Sequence, residues 1–270
     1  SGQLVAGGVL ETKDAGLHPK YNAAALQGSW RAGSFQVGGN YTWSRLRGNV
    51  ETDTAASGAV ALESPVHFYH EYNGYPGFAE DGWLNADERH RGNLWAAWRF
   101  PNRFVDFEAS VLQTYHSGRR YSAIGPIDVR PFVTNPGYKN PPIIQNYRFS
   151  ERGEFQLDAI TATSLGINLA KRVARVEAFL ETDVINVFNE QGIESPSINT
   201  TVRTNRTDRN LATFNPFTQT PVECPQGVST ASAQCKGITH YQLHPLFGTA
   251  TRKETYQLPR TFRFSVGVRF

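Results

Sequence analysis

The residues best suited to chemistry lie in one aromatic stretch, 66–78. His67 and His70 have a spacing that could place two imidazoles on one metal ion, but no strand or helix pattern surrounds them to fix that geometry. We therefore favour an aromatic surface loop over a metal site. Such rings can stack on sugars, peptides or aromatic ligands, and they can equally pack the loop together. The candidate ligand-binding residues are His67, Phe68, Tyr69, His70, Tyr72 and Tyr75.

No catalytic constellation is visible in the rest of the sequence. The triplet Ser150-Glu151-Arg152 and the scattered carboxylates show no pairing of the kind that acid–base catalysis uses. We predict that the chain is not an enzyme and uses no cofactor. The acidic residues at 158, 177, 181 and 183 are better explained as charges on the polar side of strands, where they meet arginines such as Arg99 and Arg263.

Cys224 and Cys235 are the only cysteines, and ten residues rich in Gly, Ser and Pro lie between them. A metal site would need further ligands at short spacing, and none is present there. In a chain exported through an oxidising compartment, this spacing predicts a local disulfide that closes a loop.

Composition narrows the class of protein. The chain has 270 residues, 39% hydrophobic residues and a formal charge of +3. No apolar stretch approaches the roughly 20 residues that a membrane helix needs. The basic residues are scattered among 24 acidic ones, which gives no case for nucleic-acid binding. The absence of Met and of an apolar leader leads us to expect a mature protein or a piece of a longer one.

The strongest pattern is a period-two strand over 260–270. Its apolar residues share one face, and its other face carries Arg263 and Arg269, because side chains alternate along a strand. One face suits lipid and the other water, as in the wall of an outer-membrane β-barrel. The same alternation recurs at 24–31, 35–44, 93–100, 105–116, 154–169 and 176–184, and more weakly at 4–12. The sequence thus predicts an all-β antiparallel meander of about eight strands.

The connections between these strands alternate strictly in length. Tight turns are predicted at 31–34, 101–103 and 170–172, and long loops at about 48–88, 117–152 and 189–255. Short turns on one side and long loops on the other are typical of outer-membrane barrels. Aromatic residues near strand ends predict two interfacial girdles, although packing in a sandwich core would also use them. They are Trp30, Tyr41, Trp43, Trp98, Phe100, Phe104 and Tyr115.

Five phrases occur in order along the chain: GNYTWSR at 39–45, ERHRGN at 88–93, YHSGRRY at 115–121, DVINVFN at 183–189 and YQLPR at 256–260. With them the chain resembles the C-terminal barrel portion of TonB-dependent outer-membrane receptors. The resemblance is to the Oar-like group, which carries a carboxypeptidase-regulatory-like N-terminal domain. It spans nearly the whole chain.

The resemblance implies a barrel of about 22 strands filled by a plug, of which this chain would supply about the last third. It further implies ligand capture and TonB-dependent import at the outer membrane of a Gram-negative bacterium. The implied partners are lipid and lipopolysaccharide, the barrel assembly machinery, and the TonB complex acting on parts this chain lacks. The closing strand resembles the signal that the assembly machinery reads, carried by Phe262, Phe264, Val266, Val268 and Phe270.

Two other interpretations remain open from sequence. A self-contained eight-stranded barrel could act as an adhesin or structural anchor. A soluble all-β binding module is disfavoured by the terminal aromatic residue and by the asymmetry between turns and loops.

Overall fold

The computed structural model describes residues 19–49, 70–76, 80–100, 104–134, 137, 139, 143–194 and 198–270. His67, Phe68 and Tyr69, the weak strand predicted at 4–12 and the turn predicted at 101–103 lie outside these residues.

Strands dominate the described residues, with one four-residue helix, α1 (His70–Asn73), and two 3-10 turns, Arg130–Phe132 and Lys253–Thr255. The strands are β1 (Lys20–Ala32), β2 (Phe35–Gly48), β3 (Gly82–Trp83), β4 (His90–Phe100), β5 (Asp106–His116), β6 (Arg120–Tyr121), β7 (Ile124–Ile127), β8 (Gln145–Arg148), β9 (Phe155–Gln156), β10 (Ile160–Val173), β11 (Val176–Ile185), β12 (Val202–Thr204), β13 (Tyr241–Leu243) and β14 (Thr261–Arg269).

One large sheet contains the seven long strands in the order β1-β2-β4-β5-β10-β11-β14, with the short β3 paired to β2. Every pairing in it is antiparallel. The all-β class and the antiparallel meander are therefore confirmed. In the described part of the chain the sheet is open, since β1 and β14 are its edges and do not pair with each other.

The turn between β10 and β11 lies four residues beyond its predicted position. β10 runs on to Val173, and the turn is at Ala174, which has a left-handed φ of 54°. The prediction at 170–172 was wrong because the charged pair Lys171-Arg172 was taken as a loop signal. Arg172 instead forms an ion pair with Glu177 across the hairpin, and Lys171 lies on the apolar side close to the end of the strand, where a long stem can extend to water.

The long strand predicted over 154–169 is two elements. β9 pairs with β6, and β10 begins only at Ile160. Leu157 donates its backbone N–H to the carbonyl oxygen of Arg119 at 3.0 Å. Gly118 allows this approach, because a Cβ at that position would collide with the Leu157 carbonyl. The chain therefore leaves the main sheet before Ile160.

Three long excursions leave and re-enter the sheet at the same end, while the short connections at Gly33 and Ala174 lie at the other. The excursions contain the small two-stranded sheets β6–β9, β7–β8 and β12–β13. They pack on their own apolar core, which consists of Tyr72, Ile127, Val129 and Phe214 with Tyr147 and Phe149 against it. The excursions thus form a folded layer, called here the loop layer.

Candidate functional site

The main sheet has one continuous apolar face. Residues directly opposite each other in an antiparallel sheet lie on the same side of it. In one row, Val111 is opposite Leu165, Leu165 is opposite Val184, and Val184 is opposite Phe262. The registers of β1, β2 and β4 extend this side through Trp30, Val37 and Ala96. The face predicted strand by strand from the sequence therefore lies on one side of the sheet.

This apolar face is uncovered. Val266 is 84% exposed, and Leu26 is 74% exposed. A soluble protein rarely exposes a contiguous apolar patch of more than a few hundred Å², and larger patches mark interfaces with protein or membrane. Other large apolar side chains exposed on this face are Trp30, Leu94, Trp98, Leu165, Ile167, Leu180, Phe262, Phe264 and Val268.

Aromatic residues form two bands across the part of this face that β1, β2, β4 and β5 contribute. At the short-turn end the Trp30 and Phe35 rings meet edge to face, with centroids 6.2 Å apart, and Trp98 lies opposite Phe35. At the long-loop end lie Tyr41, Trp43 and Tyr115 with His90. From Phe35 to Trp43 the strand covers about 27 Å, or roughly 20 Å of height at a 40° tilt, close to the roughly 25 Å apolar band of outer-membrane barrels.

Polar residues on the apolar face have partners. The Tyr41 hydroxyl lies 2.6 Å from Nδ1 of His90. Gln113 donates from Nε2 to the Thr161 hydroxyl at 2.6 Å, and the Thr163 hydroxyl donates to Oε1 of Gln113. Removing a polar group from water costs much less free energy when the group has a hydrogen-bond partner than when it has none. These groups are therefore compatible with an apolar surrounding.

The opposite face of the sheet is polar. Arg172 and Arg269 both pair with Glu177, at 3.3 and 3.4 Å. Asn93 donates to Oδ1 of Asn40 at 3.2 Å. Of the acidic residues predicted on this side, Asp183 lies opposite Arg263, and Glu177 and Glu181 are on β11. Arg99 lies opposite Glu108. Asp158 lies outside the strands, between β9 and β10, so its predicted place on a strand was wrong.

Two aromatic side chains break the polar pattern, and each covers a glycine. The Trp95 ring lies over Gly38 and the Phe179 ring over Gly267, each directly opposite its glycine in register. The Arg269 guanidinium lies 4.6 Å above the Phe179 ring. Rings laid over cross-strand glycines protect exposed backbone and fix the register.

The described candidate ligand-binding residues lie mostly inside the loop layer. His70 begins α1. Tyr72 is 1% exposed in the core of the layer. Tyr75 is also buried, packs on Tyr147 and Phe217, and donates its hydroxyl to the Asn146 carbonyl at 2.7 Å. Tyr72 and Tyr75 therefore pack inside the loop layer, and their rings are not exposed to a ligand.

A disulfide joins Cys224 and Cys235, and neither residue is exposed. The pair packs on Leu211 with Val228 beside it. Nε2 of Gln242 donates to the carbonyl oxygens of Pro225 and Val228, at 3.0 and 2.8 Å. The bond is thus the centre of a small core that belongs to the last excursion.

A charged cluster fastens the loop layer to the strands. Asp87 is 1% exposed and accepts the Leu46 N–H at 2.7 Å. Its other oxygen lies 3.7 Å from Arg89 and 3.9 Å from Arg120. The guanidiniums of Arg89 and Arg120 also lie over the Trp83 ring, at 4.3 and 5.5 Å. The sequence prediction missed this cluster, although its signal was the charge-dense phrase at 87–91 directly before β4.

Titratable groups in the loop layer have altered pKa values. The Thr230 hydroxyl donates to Asp208 at 2.7 Å and, with Asn210, lowers the pKa of that carboxyl. Burial and the nearby carboxylates of Glu223 and Glu154 raise the pKa of Tyr241 to about 12. Burial lowers the pKa of His240, whose Nδ1 accepts the Val222 N–H at 2.8 Å. These groups are engaged in structural hydrogen bonds and are not arranged as a reacting pair.

Among the described residues, no three His, Cys, Asp or Glu side chains are grouped so that they could hold a metal ion. No helix in this part of the chain is long and apolar enough to cross a membrane. Comparisons with protein families, with curated proteins and with solved structures found no match to this chain.

Proposed function

We propose that this chain is part of the wall of an outer-membrane receptor that captures a ligand and imports it in a TonB-dependent way. The observation that carries the proposal is the uncovered apolar face, which is continuous across seven antiparallel strands and has an aromatic band at each end of β1, β2, β4 and β5. In water such a face costs free energy, whereas lipid tails are its natural surrounding.

The distribution of connections supports the same proposal. All three long excursions leave one end of the sheet and fold into the loop layer, while the described short turns lie at the other end. In outer-membrane barrels the long loops are extracellular and the short turns periplasmic. The loop layer would then lie at the cell surface, where a ligand first arrives.

The two edge strands of the sheet, β1 and β14, indicate whether further strands are needed to complete the wall. In the described residues β1 and β14 each have one side without a strand partner. Unpaired backbone groups are not tolerated in the hydrocarbon core, so a wall in lipid needs additional strands between these edges. The alternative, a self-contained barrel serving as an adhesin or anchor, would have to close with the strands of this chain alone.

Fractionation and cross-linking test the proposal. The full-length protein that contains this chain is followed in cells that express it, and its electrophoretic mobility is compared with and without heating. We expect it in the outer-membrane fraction, with a folded band that shifts on heating, and cross-linked to TonB after formaldehyde treatment. Recovery in the soluble fraction would contradict the membrane wall. Outer-membrane recovery without any TonB cross-link would favour the anchor.

A further inference from the structure

A small pocket lies in the loop layer, where two of the long excursions meet. One side comes from β7, in the excursion between β5 and β10, and the other from β12, in the excursion between β11 and β14. The Ile124 N–H donates to the Thr200 carbonyl oxygen at 3.0 Å, and the Thr204 hydroxyl donates to that of Pro126 at 2.6 Å. Hydrogen bonds between the two excursions therefore hold the pocket in shape.

The pocket has apolar walls and an opening to solvent. Ile127 and Phe214 line it and also belong to the core of the loop layer, and the Phe214 ring lies 5.3 Å from that of His240. Arg206 and Thr213 line it and are exposed. Its volume is about 30 Å³. Since one water needs about 10–15 Å³, the pocket admits a group of about two or three non-hydrogen atoms, which is the end of a ligand.

Two side chains on the wall have unused hydrogen-bond donors. Nδ1 of His240 accepts the Val222 N–H at 2.8 Å, so the neutral ring carries its proton on Nε2. Within the described part of the chain this Nε2 has no hydrogen-bond partner. The Arg206 guanidinium comes only to 3.7 Å from Asp128, which is too long for a hydrogen bond. Both groups can therefore donate to a bound molecule.

The charge at the pocket favours an anion. Asp128 also lines it, but its two oxygens already accept from Nε and Nη2 of Arg130, at 2.9 and 2.6 Å. Arg206 is thus a second cation beside a single carboxylate, which leaves one positive charge in excess. Burial lowers the pKa of His240, so at neutral pH its ring supplies a donor and no charge.

We propose that this pocket binds the carboxylate of a ligand between the Arg206 guanidinium and Nε2 of His240, with the apolar stem of the ligand against Phe214. A carboxylate is planar, has three non-hydrogen atoms and matches the guanidinium fork, whereas a phosphate is larger. Small organic acids and the C-termini of peptides both carry this group. The inference rests on the proposed function, because it names the chemistry of the ligand that the loop layer would capture.

The chain offers matched substitutions for the test. Arg206→Gln removes the cation at an exposed position, where the fold does not depend on it. Arg209 is an exposed arginine of the same segment that does not line the pocket, so Arg209→Gln is its control. His240→Asn removes the Nε2–H, while the oxygen of the new side chain can take the place of Nδ1 as acceptor of the Val222 N–H.

Calorimetry on the full-length protein that contains this chain, folded in detergent, measures the binding of four probes. They are a tetrapeptide with a free C-terminal alanine, the same peptide as its C-terminal amide, propionate, and inorganic phosphate. We expect one or both carboxylates to bind, and the amide and phosphate to bind at least tenfold more weakly. Tighter binding of the peptide acid than of propionate would identify a peptide end, and the reverse a small organic acid.

The variants show whether the pocket is responsible. Arg206→Gln should weaken binding of the preferred acid roughly tenfold, because it removes a charged hydrogen-bond donor. His240→Asn should weaken it about threefold, because it removes a neutral donor. Arg209→Gln should bind the acid like the unaltered protein.

Four results bear against one or other proposal. Equal binding of the peptide acid and its amide would show that the carboxylate is not recognised, and an equal loss in Arg209→Gln would show that any arginine of this segment acts alike. Heat-modifiable protein that binds neither acid would refute this site and leave the proposed function standing. Protein that fractionates as soluble and binds the acid through Arg206 would refute the proposed function and leave this site standing.

Discussion

Asn186 joins the two ends of the longest excursion, because its Nδ2 donates to the carbonyl oxygen of Leu258 at 2.9 Å. The same nitrogen donates to the Glu190 carbonyl, and its side-chain oxygen accepts the Glu190 N–H. Asn186 has a left-handed φ of 53° and is almost fully buried. One side chain thus fixes where β11 ends and where the chain returns toward β14.

Replacing Asn186 should weaken the link between the two ends of this excursion. Asn186→Ala removes three hydrogen bonds and places an alanine at positive φ, so we expect a loss of about 2–3 kcal/mol in the free energy of unfolding. Asn186→Gly loses the hydrogen bonds but relieves the backbone, and should cost about 1 kcal/mol less. Urea unfolding of both variants measures the difference. Equal losses would show that backbone conformation plays no part.

Asp87 should be essential for attaching the loop layer to β2. Asp87→Ala leaves Arg89 and Arg120 without their carboxylate and the Leu46 N–H without its acceptor. Breaking a buried charge pair of this kind costs about 3 kcal/mol. Asp81 is exposed nearby, and Asp81→Ala should unfold at the urea concentration of the unaltered protein. If both variants unfold at that concentration, the buried carboxylate does not stabilise the layer.

The disulfide should stabilise its own loop and not the sheet. The variant Cys224→Ser/Cys235→Ser loses about 3 kcal/mol of local loop order, while the thermal transition of the sheet stays in place. We expect proteinase K to cut within 222–239 much faster, as read by mass spectrometry. Gln234→Ser, an exposed change in the same loop, is the control. Free thiols in the unfolded, non-reduced protein would contradict the bond.

Acid should open the same excursion through Asp208. Its folded-state pKa is lowered, first by the Thr230 hydroxyl, so the stability it contributes is present above its unfolded pKa and is lost as pH falls through the folded value. We therefore expect protection of the amides near Asn210 and Thr230 from hydrogen exchange to fall below about pH 4. In Asp208→Asn this loss should already be present at neutral pH. A pH-independent exchange pattern in the unaltered protein would refute the assignment.

The shared faces of the strands could be predicted from sequence because the side-chain period of a strand is two whatever its neighbours are. For β2, β11 and β14, alternation alone grouped the residues that the register brings to one side. The end of β10 could not be predicted in this way. Lys171 and Arg172 resemble loop residues until their places near the end of β10 and, for Arg172, beside Glu177 are known.

The packing of the loop layer could not be predicted from sequence for a different reason. Tyr72 and Tyr75 have the composition of an exposed binding loop, and their burial depends on Ile127, Tyr147 and Phe217 from distant segments. Asp87 likewise acquires its role from Arg120, a residue of another excursion. Long-range contacts of this kind leave no local periodicity to detect. The disulfide was easier to predict, because two cysteines in a short polar stretch without further metal ligands have few partners other than each other.

Spin labels on neighbouring residues test the central claim most directly. Labels at Val37, Phe107, Leu180 and Val266 on the apolar face are compared with labels at Gln36, Glu108, Glu181 and Ser265 on the polar face, in membranes isolated from cells that express the protein. The account predicts that the first set is relaxed by oxygen, which concentrates in lipid, and the second by a water-soluble nickel chelate. Preferential relaxation of Val37, Phe107, Leu180 and Val266 by the nickel chelate would contradict it.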